Sequence, residues 1–243
     1  MTRLVLEQLR KTFGGLAAVD GFDLTLEQGQ LHALVGPNGC GKSTLFNLIT
    51  GGLRPDSGRV LWAGKDITGL PPAAIARLGI ARKFQVPSVF EQLSVAENLA
   101  LPGWAGRRLP FWRRARLGEG GALLDMIRLT GQRDQPAAAL SHGQRQWLEI
   151  GMLLAGRARL LLLDEPTAGM TESETAETAS LIRRVADGGD TTLLVIEHDV
   201  AFIRQLACPV TVMAKGRVLR SGSYEAIRGD PEVRELYFGR PAA

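Results

Sequence analysis

A chain of 243 residues can bury roughly three quarters of its unfolded surface, which suits one substantial domain or one core with an inserted subdomain. Apolar residues at 45% and charged residues at 22% exclude a disordered or fibrous chain. The 29 Lys+Arg against 25 Asp+Glu leave a net charge of only +4, so no nucleic-acid partner is expected, and the two cysteines, Cys40 and Cys208, suit a reducing compartment and form neither a metal pattern nor a disulfide framework.

In chain order, residues 4–23 alternate apolar and polar with Gly14-Gly15 as a break, which predicts short antiparallel strands joined by a turn. The start leads into this alternation without the long apolar core of a signal peptide, and no apolar run is long enough to span a bilayer. Any membrane role is therefore expected to fall to partner subunits. Residues 30–35 read as a buried strand that runs into a glycine-rich loop, and residues 43–50 continue at helical spacing. Residues 86–156 show helical periodicity and no comparable β-branched run, which predicts an inserted α-helical subdomain. Inside it, residues 107–116 form the only dense basic segment, interleaved with Phe111 and Trp112; a solvated loop and a contact at a membrane face both fit. Two further apolar runs, 160–163 and 192–196, end in Asp164-Glu165-Pro166 and Glu197-His198-Asp199, and strands with polar carboxyl ends alternating with helices predict a mostly parallel α/β sheet.

Gly36-Pro37-Asn38-Gly39-Cys40-Gly41-Lys42-Ser43 satisfies the phosphate-loop pattern, between a strand and a helix as its chemistry requires. Glycines there let backbone N–H groups converge on phosphate oxygens at a helix N-terminus. Lys42 is expected to reach the β- and γ-phosphates and Ser43 to ligate Mg²⁺, with Thr44 beside them. A phosphate loop alone does not separate kinases, GTPases and transport motors. The pair Asp164-Glu165 narrows the choice, because alternation points the two carboxylates in different directions. Asp164 can then support the Mg²⁺ shell while Glu165 faces an attacking water as base or positioner. Cys40 near a helix N-terminus is expected to have a lowered pKa and to react with thiol reagents unless ATP protects it.

Leu140-Ser141-His142-Gly143-Gln144, between these motifs, resembles the signature of ATP-binding cassette (ABC) ATPases, with His142 where glycine is common. The resemblance runs from about residue 4 to 230. It implies a P-loop NTPase core of α/β class with a mostly parallel sheet, an N-terminal antiparallel β-subdomain and the inserted helical subdomain: residues 1–85 and 157–243 as catalytic core, 86–156 as the insertion. It also implies ATP and Mg²⁺ as cofactors, and that Ser141 and Gly143 bind the γ-phosphate of ATP held by an opposite subunit, with the His142 backbone and Gln144 part of the same binding segment. His142 is expected to add pH sensitivity near neutrality. Phe13 resembles the aromatic that stacks on adenine, Gln85 the glutamine that touches Mg²⁺ and water, and His198 the histidine that contacts the γ-phosphate and supports Glu165. Ala168-Gly169-Met170-Thr171 stands where the family's interface loop lies, without that loop's common aspartate.

Within the family, residues 82–91, 140–149, 168–171 and 237–240 resemble the ATPase subunits of branched-chain amino acid importers, especially the urea type. That resemblance implies a homodimer or a heterodimer with a related ATPase, two membrane permeases, which the surface around residues 85–97 would engage, and indirectly a solute-binding protein. The chain would then sit in the cytoplasm, peripheral on the inner face of the membrane. An export cassette for lipid or lipopolysaccharide, and a soluble cassette ATPase of DNA repair or translation, share much of the core.

Overall fold

The computed structural model describes residues 3–84, 88–104 and 120–238. Gln85, the basic segment 107–116 and the end of the 237–240 stretch lie outside the described residues.

β1 (Leu4–Phe13) and β2 (Leu16–Leu26) pair antiparallel across Gly14-Gly15, as the alternation predicts. Leu4 and Leu6 point inward; a bulge at Gln8, whose φ is 46°, then resets the phase so that Leu9 is sealed as well. β4 (Ser57–Trp62) and β5 (Lys65–Asp66) complete a four-stranded sheet in the order β2-β1-β4-β5. Both are short and carry polar residues, so alternation does not announce them.

The second sheet contains β3 (Leu31–Val35), β6 (Ile80–Lys83), β7 (Leu160–Asp164), β8 (Thr192–Ile196), β9 (Val210–Ala214) and β10 (Arg217–Gly222). Its order is β10-β9-β3-β8-β7-β6, and every pairing is parallel except β9 with β10. β3, β7 and β8 are buried at every position, which is why they read as continuous apolar runs.

Alternation along these strands feeds two cores. Ala33, Leu161, Leu163 and Val195 face one, and Leu34, Leu160, Leu162 and Ile196 face the other. The second core is closed by the antiparallel sheet, through Leu4, Leu6 and Phe22, and by α1 (Lys42–Ile49), through Leu45 and Phe46. The first is covered by α6 (Glu172–Asp187) and α7 (Val200–Leu206), and it runs without interruption into α3 (Val95–Ala100), α4 (Gly120–Met126) and α5 (His142–Ala155). Among the described residues between β6 and β7, structure is helical apart from one bridge, Ser94 with Pro136. α2 (Pro72–Arg77) leads into β6, while α8 (Tyr224–Gly229) and α9 (Pro231–Phe238) end the described chain. None of the described helices is long and apolar enough to cross a membrane.

Candidate functional site

The loop from Gly36 to Gly41 leaves β3 and opens α1, so the strand fixes one end and the helix the other. Its underside is bonded to the β9–β10 turn, where the Gly216 N–H donates to the Cys40 carbonyl at 3.0 Å. At Gly41 the backbone has φ 112° and a β-carbon would stand 2.0 Å from the Ala18 carbonyl oxygen, so only glycine lets the loop lie this close to β2. With glycine at the cap, α1 starts without a side-chain cap, and its first-turn N–H groups are suited to an anion.

A cavity of about 420 Å³ lies over this helix start, lined by Asn38, Gly39, Gly41, Lys42, Ser43 and Thr44 on one side and by Glu165 on the other. Lys42 is buried, and its ammonium donates to the Gly36 carbonyl at 2.7 Å and the Pro37 carbonyl at 3.0 Å. Gly36, Pro37 and Cys40 do not line the cavity. Cys40 departs from expectation: its thiol is buried, and burial pushes it up, outweighing the nearby Lys42 ammonium that pulls it down. Burial disfavours the thiolate and here outweighs the pull of the neighbouring charge.

Glu165 follows the last residue of β7 and is held at φ 46°, a left-handed conformation that costs a glutamate about 1–3 kcal/mol. Its N–H donates to the Ile196 carbonyl at 3.0 Å, which ties it to the end of β8. His198 comes from that same end, and its Nδ1 lies 3.6 Å from Glu165 Oε1 and 3.8 Å from Glu197 Oε2. Two strand ends thus bring His198 and Glu165 within 3.6 Å of each other. Asp164 points elsewhere. Its carboxylate is buried and accepts from Arg82 Nη2 at 2.6 Å.

Ser43 and Glu165 are the metal-seeking groups that line this cavity, with Asp164 next in sequence but turned onto Arg82, and no cluster of three or more His, Cys, Asp or Glu among the described residues could cage a cation alone. That donor set fits a cation that takes most of its ligands from nucleotide oxygens and water, as Mg²⁺ does. Phe13 stands at the end of β1, 47% exposed and with Lys11 Nζ over its ring at 5.7 Å from the centroid, so it is no core residue.

None of Ser141, His142, Gly143 and Gln144 lines the phosphate-loop cavity. Ser141 caps α5 in a capping box with Gln144, whose side-chain oxygen accepts from the Ser141 N–H at 3.0 Å. His142 Nε2 lies 3.1 Å from the Ala168 carbonyl, and Ser141 Oγ donates to Glu174 at 2.9 Å. The signature segment is therefore fastened to the 168–171 loop and the start of α6 within one chain.

Sequence reasoning misses Arg82, Glu174 and Glu197. Glu197 is buried and accepts from the Thr167 N–H at 3.0 Å and the Thr167 hydroxyl at 2.6 Å, joining the loop after β7 to the end of β8. A carboxylate closing an apolar strand was a visible signal for Glu197, and Thr171-x-x-Glu174 is a legible capping box for α6; what carried no signal is the reach of Glu174 to Ser141 and of Arg82 to Asp164, partners far along the chain.

Residues 19–168 match the family model described as ABC transporter. The chain is 35% identical to the high-affinity branched-chain amino acid transport ATP-binding protein BraF of Pseudomonas aeruginosa, over 98% of this chain and 99% of the relative. It is 34% identical to the corresponding protein LivG of Escherichia coli, over 97% of each. Among solved structures, the ADP conformation of MJ1267, an ATP-binding cassette of an ABC transporter, superposes with a TM-score of 0.85 at 31% identity, covering 99% of this chain and 100% of that one. With a phosphate loop, a paired strand-end carboxylate and a capped signature helix in the family's order, the chain belongs to the ABC transporter family.

Proposed function

We propose that the protein is the Mg²⁺-dependent ATP-hydrolysing subunit of an importer for branched-chain amino acids or related small amides such as urea. The observation that carries this reading is the cavity shared by Lys42, Ser43 and Glu165, which sets a carboxylate opposite a phosphate-binding helix start. The nucleotide's phosphates would lie on the α1 N-terminus, with Lys42 exchanging its two loop carbonyls for phosphate oxygens and Ser43 and Asp164 supporting the metal. Mg²⁺ supplies charge neutralisation at the phosphates when bound. Glu165 orients and deprotonates water, and His198 holds Glu165. Gln85 would join this site, and Phe13 would carry the adenine.

The signature residues stand apart from this cavity, so a second cassette, identical or related, would bring its own Ser141 and Gly143 equivalents to the γ-phosphate. Residues 86–156 would form the inserted helical subdomain that carries the signature. Exposed Phe84 and Phe90, at 54% and 57%, offer apolar contacts to a membrane permease, which would hold the chain at the inner membrane face. The relatives named for branched-chain amino acid transport support the importer assignment. Residues 82–91 and 140–149 support the urea type, and a solute-binding protein would deliver the cargo outside.

The test is ATP hydrolysis by the purified chain with and without Mg²⁺, alongside Glu165→Gln. Removing the base should lower kcat by about 10²–10⁴ and leave nucleotide affinity unchanged. Turnover by Glu165→Gln at the unaltered rate would sink the assignment of Glu165.

A further inference from the structure

Within the described chain, the helix start that carries the signature already holds an anion. Ser141 Oγ donates to Glu174 Oε1 at 2.9 Å, and the same carboxylate lies against the Gly143 backbone. A β-carbon at Gly143 would come within 2.6 Å of Glu174 Oε1, so glycine is what lets a carboxylate rest on this backbone. The other oxygen, Oε2, accepts from the Thr171 N–H at 3.0 Å and the Thr171 hydroxyl at 3.1 Å.

Capping α6 needs only that second oxygen. The first reaches 33 residues back in sequence to the start of α5, where a helix dipole and a hydroxyl favour negative charge. Thr171 first, then Ser141 and Gly143, hold the Glu174 carboxyl below the usual carboxylate range, so it stays ionised at neutral pH. His142, reaching the Ala168 carbonyl at 3.1 Å, fastens the same two segments a second time.

We propose that Glu174 is a built-in stand-in anion: its carboxylate takes the Ser141 hydroxyl and covers Gly143 in the separate subunit, and it must leave before a partner's γ-phosphate can take that place. This rests on the reading that the signature meets nucleotide across a dimer. Two anions cannot share that place, so Glu174 opposes closure until ATP outcompetes it. It also keeps Ser141 and Gly143 oriented for the anion that replaces it.

The experiment compares Glu165→Gln with Glu165→Gln/Glu174→Gln, measuring the ATP-dependent monomer–dimer constant by sedimentation and the thermal midpoint of the nucleotide-free chain. An amide at this position can still cap α6, as Gln144 does in the box at α5. The double variant should dimerise more tightly by about fivefold or more, while its nucleotide-free midpoint falls. A purely structural role would weaken both. Glu174→Asp, too short to bridge both helix starts, should act in the same direction and serves if the amide variant folds poorly. If Glu165→Gln dimerises with ATP and neither change at 174 tightens it, the stand-in is overturned alone. If Glu165→Gln binds ATP but stays monomeric, the reading in which two copies of this chain form the dimer falls, and this inference, which is made for that dimer, falls with it.

Discussion

Arg82 Nη2 meets Asp164 Oδ2 at 2.6 Å, with the two side chains only 9% and 4% exposed. The same guanidinium donates from Nη1 to Asn47 Oδ1 at 2.6 Å and lies over the rings of Phe46 and Phe84, 5.4 and 4.9 Å from their centroids. One side chain thereby joins the end of β6 to α1 and to the end of β7. It sets the end of β6 against the end of β7, the strand that Glu165 follows.

Removing Arg82 would leave a buried carboxylate uncompensated, which typically costs about 3–5 kcal/mol. Arg82→Met is expected to lose roughly that much stability in urea unfolding. Arg82→Met/Asp164→Asn should recover part of the loss, because no bare charge is then left inside. A double variant as unstable as the sum of its singles would show that the pair is not coupled.

Much of the site was legible in the sequence because its segments are local. Gly36 to Ser43 is a contiguous pattern between a strand and a helix, and the ends of β7 and β8 follow from apolar runs buried on both faces. β6 was not legible: its four residues, Ile80–Lys83, end in two cations that the fold buries or pairs. The Arg82–Asp164 and Ser141–Glu174 contacts span 82 and 33 residues, so they exist only once the sheet order and the α5–α6 packing bring the segments together. Cys40 failed for a different reason. Proximity to a helix start is visible in sequence, whereas burial is not.

His32 in β3 gives the fold a dependence on pH. It is buried, with Nε2 2.8 Å from Thr211 Oγ1 and Nδ1 sealed without a partner, and burial lowers its pKa from 6.5 to about 4. The unfolded chain therefore binds a proton here before the folded chain does. Stability is full above pH 6.5 and falls as the pH drops towards 4, by about 3 kcal/mol at most. Urea midpoints measured between those limits should show this slope, and His32→Gln should flatten it. An unchanged slope in the variant would assign the effect to other groups.

Cys40 sets two influences on a thiol against each other. The helix start and the Lys42 ammonium, whose Nζ lies 4.0 Å from Sγ, favour a reactive thiolate; burial to 5% exposure opposes it and raises the pKa. Cys208 is also buried, and its thiol is pushed up to about 11. Alkylation needs both the thiolate and access, so burial blocks it twice. Iodoacetamide at neutral pH is expected to leave both cysteines and the ATPase rate unaltered over a time that fully labels the urea-unfolded chain, and ATP should add no protection. Fast labelling of Cys40 in the folded protein, with loss of activity relieved by ATP, would mean that the loop opens readily enough for the helix start to govern the thiol.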